Sequence, residues 1–255
     1  MKILKVLSVL LSYPQAEMLA ALDEMVEVLD QKTRWLPKRE YQALLALMNQ
    51  MRRIDLLELQ ERYVRLFDRG RALSLHLFEH IHGESRDRGQ AMINLLEVYR
   101  QHGFALSVRE LPDYLPLFLE YLAERPEQEA LDMLADAMPV ITLIGARLAE
   151  RGSDYHTMFD ALTALVGAPA EIADIRQQAA TEGPDEAIVN MDKIWEEEAV
   201  TFLANQAGCA GNRSLPDAMQ PVQWMHRTGA TQPSSFSVKI NGVQTTPVLC
   251  ATPSY

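Results

Sequence analysis

Apolar residues recur at intervals of three and four along this chain as far as about residue 204, and that period dictates helices. Leu4, Val6, Leu7, Leu10 and Leu11 form a first stripe, stopped by Pro14. Met18, Leu19, Leu22, Met25, Val26 and Leu29 form a second. A third, Tyr41, Leu44, Leu45, Met48 and Met51, follows Pro37, a residue suited to a first helical turn. Leu56, Leu59, Tyr63, Leu66 and Phe67 come next, and Asp68-Arg69-Gly70 then offers a turn. No useful run of strand alternation precedes residue 204, and no fixed repeat suggests a solenoid. The fold class read from this pattern is all-α.

Further along, Leu73, Leu77, Phe78 and Ile81 predict a short helix ending near Gly83. Ser85 suits the N-cap of a helix through Ala91, Leu95, Leu96 and Tyr99, with Gly103 as its stop. A long helix from Glu127 to Arg151 ends at Gly152 and contains Pro139, which predicts a kink. Asp154 is the predicted cap of a helix carrying Tyr155, Met158, Phe159, Leu162 and Leu165. A polar linker around Thr181–Pro184 precedes a last helix with Ile188, Ile194, Trp195, Val200, Phe202 and Leu203.

Beyond Asn205 the composition turns to Gly, Pro, Ser, Thr and Gln, which cannot bury much apolar surface, and a mobile tail is expected. The chain therefore divides into a helical domain, 1–204, and a low-order tail, 205–255. Within the tail, Phe236–Ile240 with Asn241-Gly242 is a hairpin signal, although an isolated hairpin is marginal in water.

Charge narrows the function. The chain of 255 residues carries a net charge of -11. Arg213, Arg227 and Lys239 against Asp217 give the tail +2, so the helical part carries -13. Such a body repels phosphate backbones and anionic lipid and attracts basic peptide. The two cysteines, Cys209 and Cys250, form no CxxC and suggest neither a disulfide framework nor a zinc knuckle, as in a reducing cytosol. MKILKVLSVLLSYP has Lys5 inside its apolar run and no small-residue cleavage site after it, and is expected to be a core helix. No run approaches the ~20 apolar residues of a membrane span.

Two segments carry dense chemistry. Tyr63–Gly89 joins an apolar stripe to alternating Arg, Asp, Glu and His. Within it, His76, Glu79 and His80 spell H-x-x-E-H, an inverted zincin pattern in which two histidines would hold zinc and the glutamate act as base. The competing reading pairs these groups with nearby arginines or uses them as caps. Arg86 and Arg88 oppose the dipole of a helix start, which points to carboxylate partners or a ligand. In the second segment, Glu110–Pro116, two prolines fix an extended entry and leave Asp113 free to cap the helix that follows. Trp195-Glu196-Glu197-Glu198 reads as a solvated helix face or an acidic rim, and the 12 methionines as core filler or an adaptable groove lining. There is no GxGxxG, phosphate-loop lysine motif or G-x-S-x-G.

Leu66–Met92, LFDRGRALSLHLFEHIHGESRDRGQAM, closely resembles the nitrate reductase delta-subunit family, and so do Glu110–Ala123, ELPDYLPLFLEYLA, and Trp195–Phe202, WEEEAVTF. These are the NarJ/NarW-type molybdenum cofactor assembly chaperones, within the wider TorD-like group of redox-enzyme maturation chaperones. The resemblance covers roughly Met1 to Phe202, and the tail matches nothing in the family. It implies a single TorD-like helical bundle in the cytoplasm, with no catalytic activity, metal or cofactor of its own and no membrane insertion. Its implied client is the N-terminal segment of the catalytic (alpha) subunit of a respiratory nitrate reductase, held until the molybdenum cofactor is inserted. The alpha-beta apoenzyme and cofactor-delivery proteins are further implied partners. The family's P-D-H segment, associated with the client-binding face, falls on Pro112, Asp113 and Tyr114, with tyrosine where histidine often stands.

An amphipathic client helix would lay its apolar side in a groove. The residues expected to anchor it are Tyr63, Phe67, Phe78 and Leu115. Glu79, His80, Arg86, Asp87, Arg88, Pro112, Asp113 and Tyr114 are expected to shape and rim it. The competing function classes are a zinc metallopeptidase and a helical scaffold for an unrelated partner.

Overall fold

A computed structural model describes residues 1–30, 35–83, 85–106, 110–183, 238–240 and 243–245. The all-α expectation holds for the body. Helix α1 (Lys2–Leu11) is apolar on most of its circumference, and Leu4, Leu7, Leu10 and Leu11 are fully buried. A helix of that kind needs cover on several sides. It packs on α8 (Leu115–Ala123), which is as apolar, and the buried Ser8 hydroxyl donates to the Pro116 carbonyl at 2.6 Å. The N-terminal stretch is therefore the core helix that its sequence predicted.

The second apolar stripe is split into α2 (Ala16–Ala20) and α3 (Leu22–Asp30), joined at Ala21. Pro37 is the N-cap of α4 (Lys38–Met51), one residue earlier than a first-turn position. Asp55 caps α5 (Leu56–Phe67) by accepting from the Leu57 amide at 2.9 Å. Then α6 (Leu77–His82) and α7 (Arg86–Gln101) follow, and Ser85 caps α7 as predicted, through the Asp87 amide. Leu73, predicted in the short helix, is buried in the loop before it.

The long helix α9 (Glu127–Glu150) runs unbroken through Pro139. Proline removes the donor that Ala135 would have used, and Pro139 and Ala135 are both exposed residues, where the lost bond costs least. Helix α10 (His156–Val166) is capped by Tyr155 rather than Asp154, whose backbone carbonyl accepts from Thr157. Helix α11 (Ile172–Thr181), absent from the sequence prediction, packs on α9, as α10 does. Among the described residues, Met18, Met25, Met48, Met51, Met138 and Met158 are buried core. No described helix is long and apolar enough to cross a membrane.

As a separate compact unit, β1 (Val238–Ile240) pairs antiparallel with β2 (Val243–Thr245), Ile240 opposite Val243, which is the register of the hairpin signal. The predicted helix from Ile188 to Leu203, the Trp195–Glu198 acids, Cys209, Cys250 and the rest of the tail lie outside the described residues.

Gly145 lets α9 approach α10 closely. A Cβ at Gly145 would stand 2.7 Å from the Phe159 Cβ, which has no freedom to move aside. Gly145→Ala is expected to lower unfolding free energy by about 1–2 kcal/mol, because overpacking outweighs the gain in helix propensity. Urea denaturation measures it, and an unchanged or raised midpoint would contradict this packing.

Candidate functional site

Two loops that the sequence singled out meet backbone to backbone. The Leu115 amide donates to the Leu75 carbonyl at 2.8 Å, and the Leu77 amide to the Asp113 carbonyl at 3.0 Å. Between them His76 and Tyr114 form an isolated antiparallel bridge. The chain before α6 is thus fixed against the chain before α8.

Asp113 is the centre of this junction. Its side chain has 0% exposure, and it does not cap α8, whose N-cap is Tyr114. One carboxylate oxygen lies 3.2 Å from His76 Nδ1, and the other accepts from the Phe78 amide at 3.2 Å. Phe78 is in the first turn of α6, where amides have no helical partner, and the N-cap residue His76 provides no side-chain bond. Asp113 therefore caps a helix distant in sequence. Arg88 Nη2 from α7 lies 3.8 Å from the same carboxylate and 3.1 Å from Glu79. The two carboxylates offset the poor position of that arginine at a helix start.

Aromatic groups support the junction from below. The Tyr63 hydroxyl donates to the Leu11 carbonyl at 2.9 Å, which leaves its oxygen to accept from the Tyr114 hydroxyl at 3.0 Å. Tyr63 packs on Phe67, and both lie against Tyr155. The Tyr99 hydroxyl donates to the Pro112 carbonyl at 2.8 Å. His76 and Tyr114 rings sit 5.3 Å apart, so an imidazole stands beside Asp113 although the third position of the P-D-H segment is tyrosine.

The loop between α5 and α6 borders an open concavity of about 340 Å³ lined by Phe67, Asp68, Arg69, Arg71, His76 and Glu79. Burial pushes the Asp68 carboxyl up, against the opposing pull of His76. Among the described residues four large hydrophobic side chains are exposed: Leu57 on α5, Ile81 on α6, Ile93 on α7 and Leu111 before α8. Helix α7 buries only Tyr99 of its 16 residues.

The expected site residues separate into three groups. Glu79, His80, Arg88 and Phe78 are half-buried around α6, and Tyr114 is half-buried beside His76. Tyr63, Phe67, Pro112, Asp113 and Leu115 are buried and support the loops from within. Arg86 and Asp87 are exposed at the start of α7, and Asp87 accepts from the Ser85 hydroxyl at 3.1 Å.

His76 and His80 do not form a metal pair. His76 lies outside the helix as its N-cap and faces Asp113. His80 Nε2 lies 2.8 Å from the Ser74 carbonyl and Nδ1 3.3 Å from Arg147 Nη1. A carbonyl accepts and a guanidinium donates, so His80 is the neutral Nε2–H tautomer. Burial, then the Arg147 charge, lowers its pKa against the pull of the Ser74 bond and the nearby Glu79 and Glu182. Among the described residues no three His, Cys, Asp or Glu side chains converge on a possible metal position. Arg147, Ser74 and Glu182 were not found from the sequence, where an arginine near the end of a long helix has no distinguishing spacing.

Residues 15–161 match the family model described as nitrate reductase delta subunit. The chain is 41% identical over 239 residues to the nitrate reductase molybdenum cofactor assembly chaperone NarJ of Escherichia coli (strain K12), covering 94% of this chain and 98% of that one. It is 39% identical to the probable chaperone of the same description, NarW, from that strain, over 84% of this chain and 90% of the relative. To the probable NarJ of Bacillus subtilis (strain 168) it is 30% identical, over 63% and 85% of the two chains. A match across both of the loops that meet at Asp113 and most of the helical body leaves one conclusion: the chain belongs to the nitrate reductase delta subunit family.

Proposed function

We propose that this chain is a cytoplasmic maturation chaperone for a molybdenum-containing nitrate reductase, and that it binds the N-terminal segment of the catalytic subunit. It performs no bond-making of its own. It keeps the apoenzyme competent for cofactor insertion, and its contacts extend to the alpha-beta apoenzyme and cofactor-delivery proteins. The family and its named relatives support the chaperone role. What supports the client-binding reading is a charged concavity that includes Glu79 of α6, with exposed Ile81 on the same short helix and exposed Ile93 on α7, which packs on α6.

An amphipathic client helix has a side chain for each part of that surface. Its apolar face covers Ile81, Ile93 and Phe78, removing surface that water solvates poorly. Basic residues along its edge meet Asp68 and Glu79, and a body of negative net charge speeds the encounter. Tyr63, Phe67 and Leu115 act beneath the surface, by fixing the loops that the client touches. The metallopeptidase and the unrelated scaffold have no observation in their favour.

Titration calorimetry with a peptide of the client's first residues tests the proposal. Ile93→Ser changes an exposed side chain and should preserve the fold, yet weaken binding by about three- to tenfold. Phe78→Ala should weaken it by about tenfold or more. Raising ionic strength several-fold should lower affinity as charge attraction is screened. Binding indifferent to all three changes would contradict a groove at α6 and α7. Elemental analysis of the purified chain should show no stoichiometric zinc; one zinc per chain, lost in His80→Ala, would restore the metal reading.

A further inference from the structure

Arg147 lies in the last turn of α9 and touches the loop that borders the concavity. Its side chain is only 13% exposed. Nε and Nη2 donate to the two oxygens of Glu182, both at 2.6 Å. Nη1 donates to the Ala72 carbonyl at 2.8 Å and to His80 Nδ1 at 3.3 Å. Four of the guanidinium's five N–H groups are thereby engaged, in the planar fork that only arginine presents.

These partners belong to three pieces of chain. Ala72 is in the loop after α5, His80 is in α6, and Glu182 is the residue that ends α11. His80 in turn holds the Ser74 carbonyl, and the Ser74 hydroxyl accepts from the His76 amide at 3.2 Å. Arg147 thus reaches two of the loop's carbonyls, Ala72 directly and Ser74 through His80. Both lie between Arg71 and His76, which line the concavity. The Glu182 carboxyl is held below the usual carboxylate range, chiefly by its bonds from Arg147, and it also accepts from Gln178 at 3.2 Å.

We propose that Arg147 is a positioning residue for the client site: with Glu182 and His80 it clasps the loop after α5 to α9 and to the end of α11, so that client binding and the docking of α11 are one linked equilibrium. The inference rests on the client-binding reading above for its second half only. A loop that visits other shapes binds in proportion to the fraction of time it holds the competent one. Linkage is reciprocal, so a client that prefers the clasped loop must also tighten α11.

Hydrogen exchange read by mass spectrometry, with peptide calorimetry, tests both halves on the full chain. Glu182→Gln keeps the shape and removes the charge; Arg147→Lys keeps the charge and removes the fork. In both variants amides between 72 and 82 should exchange about three- to tenfold faster, while those of α10 stay unchanged. Client peptide should bind each variant about three- to tenfold more weakly, and should slow exchange at 178–182 in the native chain but not in Arg147→Lys. Should Arg147→Lys fail to fold, Glu182→Gln decides alone. Native exchange between 72 and 82 in Glu182→Gln would overturn the clasp. Faster exchange there with native peptide affinity would overturn the linkage. If the native chain ignores the peptide, the client reading fails, and the exchange rates alone still decide whether Arg147 positions the loop.

Discussion

A buried carboxylate sets the terms for everything around it. Asp113 has no exposed surface, and a carboxylate in that position costs several kcal/mol unless its oxygens are fully engaged. The chain meets that demand with groups from three elements: the His76 ring, the first-turn Phe78 amide of α6 and the Arg88 guanidinium of α7. Each of those groups gains from the arrangement. The amide has no helical partner, and the arginine sits at the end of a helix where positive charge is unfavourable. The result is a site whose parts hold one another and cannot be moved singly.

That mutual dependence explains how so short a helix persists. Six residues form too few hydrogen bonds to repay nucleation alone. Helix α6 survives because Asp113 caps it from outside, the Leu75–Leu115 and Leu77–Asp113 bonds fix its entry, and His80 attaches it to Ser74 and Arg147. Helix α7 has a different problem. It is attached near its ends, by Arg88 and by Tyr99, and its middle covers little. Ile93 stays exposed on this weakly buried helix, on the face the proposed client helix would cover.

Much of the bundle was legible because periodicity and caps are local signals. The stripes of α1, α4 and α5 and the Ser85 cap of α7 needed no knowledge of their neighbours. Failures came where tertiary contacts overrode a local rule. Asp113 precedes a helix and looks like its cap, but the amide it serves is 35 positions away. H-x-x-E-H implies one helical face only if both histidines are helical, and His76 has extended backbone, with φ -86° and ψ 104°. Helix α11 buries only Ala179, so it had almost no stripe to read. Arg147 was invisible for the same reason: its three partners come together only in the folded chain.

Buried Asp113, through its contacts to α6 and α7, organises the surface proposed for client binding. The most direct measurement is the affinity of Asp113→Asn for the client's leading peptide, with far-UV circular dichroism on the same sample. Asparagine keeps the volume and one acceptor but gives up the attraction to Arg88 and His76. The account predicts a helical signal like that of the native chain and a loss of about tenfold or more in affinity. Native affinity in a folded Asp113→Asn chain would contradict it.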